Sequence, residues 1–144
     1  MLLRDVLRRK GGDVTTAQGA ALVADVVRIL ADERIGAVVV LDRRGNLAGL
    51  FAERELVLAC AAHGDAALGM EVGGLMNRAV ITGTPEERID DALRRMTLRR
   101  SRHLPVIEDG RLVGIISLGD LVKQRLEEKE LEAGVLLELA RRHT

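Results

Sequence analysis

Aromatic side chains are nearly absent from this chain: among 144 residues there is one phenylalanine, Phe51, and neither tryptophan nor tyrosine. Successive bases of a single-stranded nucleic acid would have no ring to stack on, which excludes a stacking platform for nucleic acid. Cysteine is as scarce. Cys60 stands alone, so no internal disulfide can form, and no cysteine or histidine lies at zinc-site spacing; a free, buried thiol in a reducing compartment is the expected state. Apolar runs are broken by a charge after about a dozen residues, short of the roughly 20 that span a bilayer, and the first residues carry no apolar signal core. A cytoplasmic protein with no membrane association is expected. Net charge is missing too: 22 Lys and Arg against 22 Asp and Glu leave no overall field to attract nucleic acid or anionic lipid. The sequence also lacks a Gly-rich phosphate loop of the Walker type, a metal-ligand cluster and a paired-carboxylate arrangement.

What the chain does contain is a duplication. Thr16, Val23, Val26, Leu30 and Val40 recur 66 residues later as Thr82, Ile89, Ala92, Met96 and Val106; one residue is then dropped in a turn, after which 45–57 matches 110–122. Such a unit is longer than a solenoid repeat and shorter than an average domain, so two half-domains sharing one core and flanking a cleft are expected. A compact fold of this size buries roughly 70% of its unfolded surface and needs no covalent staples.

Each copy reads helix, strand, strand, helix. Val23, Val26, Val27 and Leu30 place one apolar stripe on a helix over about 20–33, and Ile89, Ala92, Leu93 and Met96 repeat it. Thr84, Pro85 and Glu87 read as a capping box with proline at the first helical position, opening the second copy's helix; the matching signal near Gln18 and Gly19 is weaker. Residues 37–41 and 104–108 are short apolar strands, each followed by a Gly-containing turn and a second run reaching Phe51 or Ile116, hence hairpins. Pro105 puts its strand's start there or places the strand at an edge. Leading strands at 14–16 and 80–82 complete a β-α-β-β-α order in each copy. From Leu121 onward the chain is helical by composition, with an expected break at Gly134. Its apolar edge of Leu126, Leu131, Val135 and Leu139 reads either as a dimer or partner surface or as a face folded back on the core. Arg4, Arg8, Arg9 and Lys10 read as a solvated first turn, and Glu127, Glu128, Glu130 and Glu132 as an acidic stretch on the last helix. The cluster Arg94, Arg95, Arg99, Arg100 and Arg102 reads either as a solvated face or as phosphate contacts.

These elements resemble a tandem pair of cystathionine-β-synthase (CBS) domains, the Bateman module, over about residues 3–126. The motifs that carry the resemblance are Arg102-His103-Leu104-Pro105-Val106, the run 109–117, and Ser117-Leu118-Gly119-Asp120, in duplicated order. The fold class implied is α/β (α+β): two pseudo-symmetric motifs forming one intertwined module with a central cleft, built as three-stranded sheets with two helices each. The expected layout is motif one at 6–62, a linker at 63–71, motif two at 72–128 and a helical tail at 129–144. The resemblance implies a regulatory module that binds an adenosine-containing ligand such as AMP, ADP, ATP, NAD(H) or S-adenosylmethionine. It implies no catalytic cofactor, a homodimer in the form of a flat disk, and signalling to an unidentified protein partner.

Ser117 and Asp120 are a Ser-x-x-Asp at the start of an apolar helix, immediately after a strand. The spacing is that of a capping box. The same strand-to-helix junction aims bare amides and a positive dipole end into a cleft, which favours a phosphate, while the carboxylate suits ribose hydroxyls. In the first copy Ala52, Glu53, Arg54 and Glu55 stand at this place: the hydroxyl is lost, the carboxylate is longer, and Arg54 reads either as a phosphate ligand or as an exposed helix arginine. Carried over from the family, each site draws on both repeats because the leading strand crosses over. One site combines Thr16, Arg34, Ile35, Gly36 and Ala37 with Ser117 and Asp120, the expected ribose carboxylate. The other combines Thr82, Arg102, His103 and Leu104 with Arg54 and Glu55. His103 has no nucleophile or second acid in its context, and neither Cys60 nor His63 supplies one, so a packed histidine is expected rather than a catalytic base. His143 carries no signal. Three functions stand in order: a nucleotide-sensing regulatory module, a structural adaptor with degenerate sites, and, last, an enzyme.

Overall fold

The computed structural model describes residues 1–142, so His143 and the end of the 129–144 tail lie outside the described residues. Five helices and five strands follow in the order α1 (Leu3–Lys10), β1 (Thr16–Gln18), α2 (Val23–Glu33), β2 (Ala37–Leu41), β3 (Leu47–Ala52), α3 (Glu53–His63), α4 (Ile89–Arg99), β4 (His103–Glu108), β5 (Arg111–Ser117) and α5 (Leu118–Arg142). Two 3-10 turns, Gly64–Gly69 and Val72–Gly74, join the halves. The mixed α/β architecture expected from the repeat is present, and the duplication is visible in its details. α2 and α4 are each 11 residues long and end on a left-handed arginine, Arg34 and Arg100. Both hairpins carry a register irregularity at the same place, Val40/Leu41 and Val106/Ile107.

The two sheets differ. The first has three strands in the order β1-β2-β3, with β1 parallel to β2 and β3 antiparallel to it; the second has β4 and β5 alone. The leading strand expected at 14–16 lies at Thr16–Gln18, and the one expected at 80–82 shrinks to a single parallel bridge, Gly83 to Val106. The Gly83 N–H donates to the Pro105 carbonyl and its own carbonyl accepts from the Ile107 N–H, both at 2.9 Å. Pro105 therefore sits inside β4 with its nitrogen turned to the same edge as its carbonyl. Only this one-residue bridge flanks that edge, so no ladder donor is missed.

The helix starts also move. α2 and α4 begin at Val23 and Ile89, without side-chain caps, after Leu22 and Arg88. The Thr84–Glu87 segment forms a turn instead, and it serves α1: the Leu3 and Arg4 N–H groups donate to the Glu87 and Pro85 carbonyls at 2.9 Å, which satisfies two of the first-turn donors of that helix. The Glu87 carboxylate accepts from Arg95 at 2.8 Å through both oxygens.

The segment before each leading strand is exchanged between the halves. α1 buries Leu3, Val6 and Leu7 against Ile89, Met96, Leu104 and Ile116 of the second repeat. Val72, the repeat counterpart of Val6, inserts among Val23, Val26, Val38 and Phe51 of the first. The strands stay with their own repeats, Thr16 opposite Val39 and Gly83 opposite Val106, so the expected strand crossover is replaced by this exchange. Glycine makes room for it on both sides. A Cβ at Gly114 would overlap Leu7 Cδ2, and one at Gly49 would lie 2.6 Å from Met76 Sδ. A third cluster, Ala37, Val39, Leu50 and Ala52 with Leu112 and Ile115, joins the sheets across the pseudo-twofold.

Three further expectations change, and one open alternative is decided. α5 runs unbroken through Gly134, where mid-helix glycine costs about 1 kcal/mol relative to alanine and does not by itself end a helix. Its edge from Leu126 onward is exposed rather than folded back. Cys60 is exposed on α3 rather than buried, since the inward position of that turn belongs to Ala59. The basic residues expected as a solvated first turn spread over α1, with Arg8, Arg9 and Lys10 in its last turn, and are mostly paired: Arg4 with Glu86 and Glu108, Arg9 with Gln124 and Glu127, Lys10 with Asp120.

Candidate functional site

β3 passes into α3 without a loop, Ala52 to Glu53, so the first turn of α3 stands directly at the seam between the repeats. It forms one wall of a cleft of about 950 Å³, at the upper end of the usual range for small-molecule sites. The opposite wall is the end of α4 and the start of β4: Arg99, Arg100, Arg102 and His103. Leu50, Ala52, Met76, Ile81 and Met96 supply an apolar lining. Each wall is closed within its own repeat by a matching bond beyond its hairpin, the Glu53 N–H to the Gly36 carbonyl at 3.2 Å and the Leu118 N–H to the Arg102 carbonyl at 2.8 Å.

Four arginines face this space. Arg54, Arg99, Arg100 and Arg102 line it, and among the described residues none of the four guanidinium groups is in an ion pair or side-chain hydrogen bond. Arg95 of the same basic cluster is taken by Glu87 and the Thr82 carbonyl. Arg100 holds φ at 52°, a region that glycine enters without cost and arginine does not. Glu55 is buried in the opposite wall and accepts from the Ala52 N–H at 3.3 Å, so it caps α3. Burial pushes its carboxyl above the usual range, with the Ala52 amide and Arg54 partly opposing. With Glu53 and Glu55 the only carboxylates in the lining, the cleft is net cationic.

His103 packs on Gly36 of the other repeat; a Cβ there would stand 3.2 Å from its Nε2, so the close approach depends on glycine. Burial, then Lys10, pushes the imidazole below its ordinary value, with Arg102 adding to this and Glu53 and Asp120 opposing it. The ring is neutral at neutral pH. Among the described residues no group of three or more His, Cys, Asp or Glu is placed to hold a metal ion.

The cleft gathers Arg54, Glu55, Arg102, His103 and Gly36 from the residues singled out in the sequence; Thr82 and Leu104 lie behind it, with the Thr82 carbonyl bonded to Arg95 and Leu104 in the core. The other set is arranged differently. Thr16 and Arg34 are exposed. Ser117 and Asp120 form a complete capping box: the Ser117 N–H donates to Asp120 Oδ2 at 2.8 Å and the Asp120 N–H to Ser117 Oγ at 3.0 Å. Lys10 Nζ lies 2.6 Å from the same Oδ2 and also donates to the Ile115 carbonyl. Burial alone would raise Asp120, but the Lys10 ammonium and the Ser117 amide outweigh it and hold the carboxyl below the usual range. Sequence reasoning gave no role here to Lys10, whose contact depends on the exchange of α1. Arg100 carried a signal, since it stands 66 residues after Arg34.

A model of the CBS domain matches residues 3–62 and again residues 72–127. The chain belongs to the CBS-domain family. It is 32% identical over 141 residues to the mitochondrial CBS domain-containing protein CBSX3 of Arabidopsis thaliana, covering 90% of this chain and 67% of that one. Among solved structures, the CBS-domain containing protein ATU1752 from Agrobacterium tumefaciens superposes with a TM-score of 0.84 at 42% identity, over 87% of this chain and 99% of that chain. The CBS domain pair of protein MJ0100, solved with methylthioadenosine and S-adenosyl-L-methionine, shares the fold at 23% identity and a TM-score of 0.79, over 89% of this chain and 98% of that chain. The tandem CBS architecture read from the duplication is therefore established. Among the described residues no helix is long and apolar enough to cross a membrane.

Proposed function

We propose that this CBS pair is a regulatory, non-catalytic module that binds one phosphate-bearing adenosine nucleotide, such as ATP, ADP or NAD(H), in the cleft between its repeats. The observation that carries the reading is the set of four guanidinium groups without protein partners around an apolar-lined cleft. Guanidinium forks match phosphate oxygens bidentately, and a cleft of several unpaired cations favours an anion over the sulfonium of S-adenosylmethionine. The aliphatic and thioether lining takes a base between flat apolar walls, as a protein without tryptophan or tyrosine must. The MJ0100 pair, which holds two adenosine-containing compounds in the same fold, supports the ligand class. The pseudo-symmetric location is less suited to a ligand because Lys10 already neutralises Asp120, which favours one nucleotide per chain. Occupancy would pull α3 of one repeat toward α4 and β4 of the other, and that closure is the change available to a protein partner.

Calorimetric titration with ATP and with adenosine tests the reading. Each charge-assisted phosphate contact is worth about 1.5–3 kcal/mol, so Arg54→Ala and Arg102→Ala are each expected to weaken ATP by roughly 10- to 150-fold while changing adenosine little. Equal losses for both ligands, or no loss for ATP, would remove the phosphate role from these arginines. A structural adaptor with degenerate sites would bind neither ligand.

A further inference from the structure

His103 is the one titratable side chain of the cleft whose surroundings leave its charge open to a ligand. The backbone carbonyl accepts from Ser101 Oγ at 2.9 Å, but among the described residues neither ring nitrogen is in a hydrogen bond or an ion pair. No buried side-chain nitrogen among them lacks a partner, so both ring nitrogens keep access to solvent, and the residue lines the cleft. The charges facing the ring from the elements packed on it nearly cancel. Lys10 of α1 is held by Asp120 of α5 at 2.6 Å, and Glu53 of α3 stands against Arg102, which precedes β4. Burial then decides for the neutral ring. Glu55, Arg54, Arg99 and Arg100 line the same cleft, and with Arg102 its four guanidinium groups oppose a fifth positive charge. A phosphate set between them reverses that opposition, because an anion within about 4–6 Å favours the charged imidazole. Phosphate oxygens only accept. A neutral ring meets them with one N–H and one lone pair, whereas imidazolium donates from both nitrogens.

We propose that a nucleotide phosphate in this cleft converts His103 to imidazolium, so that nucleotide binding takes up a proton and the module reads acidity together with nucleotide. The inference rests on the nucleotide reading above and adds a second input to the same site. The proton comes from solvent onto the ring nitrogen that carried the lone pair, and the new N–H donates to a phosphate oxygen. In the first repeat Ala37 stands at the matching position, 66 residues earlier, so the proton link belongs to this cleft alone. Binding raises the affinity of the ring for its proton. The gain in nucleotide affinity is therefore complete below the pKa of the free ring, which lies under the ordinary histidine value, and is lost as pH rises through that of the complex.

Calorimetric titration with ATP near neutral pH, in buffers of differing ionisation heat, counts the protons taken up per nucleotide. The wild type is expected to take up more than His103→Gln, which keeps a polar side chain but cannot titrate. Its affinity is expected to rise by up to about tenfold per unit fall in pH across the linked window, and that of the variant more shallowly. Proton exchange by the ATP phosphates, or by the buried Glu55 carboxyl, is common to both proteins and cancels in the difference. Imidazole NMR on the wild type gives a second readout that needs no variant. The His103 ring, assigned through its backbone among three histidines, is expected to titrate at a higher pH with ATP than without it. Equal proton uptake by the two proteins, or a His103 ring that titrates alike with and without ATP, overturns the proton link while leaving the nucleotide reading in place. Absence of any ATP binding overturns both.

Discussion

Arg34 and Arg100 close their helices in the left-handed region, at φ 55° and 52°, where a non-glycine residue costs roughly 1–2 kcal/mol. Their charge at a helix C-terminus returns part of that through the dipole. Only Arg100 also lines the cleft. Arg34→Gly is therefore expected to stabilise the protein by about 0.5–1 kcal/mol, the strain relieved less the added chain entropy of glycine, and to leave nucleotide affinity unchanged. Arg100→Gly is expected to give a similar gain in stability together with weaker ATP binding. Urea unfolding and calorimetry on the two variants separate these effects, and a stability loss in Arg34→Gly would show that its charge outweighs the strain. At this scale the sequence was partly legible. Arg54, Glu55, Arg102 and His103 were recognisable because they sit in motifs, whereas a positive φ at an arginine leaves no trace in composition, and the Lys10–Asp120 contact joins residues 110 positions apart.

The elements that tie the two repeats together are the exchanged segments, α1 and the 3-10 turn at Val72, each packed in the core of the other repeat. Gly114 is the surface on which α1 lands. A methyl group there would overlap Leu7 Cδ2, so Gly114→Ala is expected to cost about 1–3 kcal/mol as an overpacking defect. In a Leu7→Ala background the same substitution is expected to cost markedly less, because the new methyl enters space that Leu7 has vacated. Additive losses in chemical denaturation would mean that α1 does not rest on this strand. Periodic stripes located α2 and α4, since the 3.6-residue period is set by the core each helix faces and survives any choice of neighbours. The end signals misled. Thr84, Pro85 and Glu87 have the local chemistry of a helix start, yet the Pro85 and Glu87 carbonyls cap a helix that precedes them by some 80 positions, and capping rules see only neighbours in sequence. Gly134 has the chemistry of a stop, but glycine ends a helix only where the chain must turn left-handed.

For the molecule as a whole, duplication makes two equivalent places and the fold then makes them unequal. The exchange of α1 brings Lys10 onto Asp120, while its counterpart, the short turn at Val72–Gly74, leaves the seam beside Arg54 and Arg102 open. One cationic cleft and one internally neutralised junction result. The most direct measurement is equilibrium dialysis against ATP at concentrations up to about 1 mM, the weak end of useful affinity, read by absorbance near 260 nm, where a chain with one phenylalanine and no tryptophan or tyrosine is nearly transparent. Saturation at one adenine per chain is the predicted result. No excess of ATP on the protein side, with ADP and NADH equally excluded, would contradict the nucleotide reading; two per chain would show that Lys10 does not close the second place.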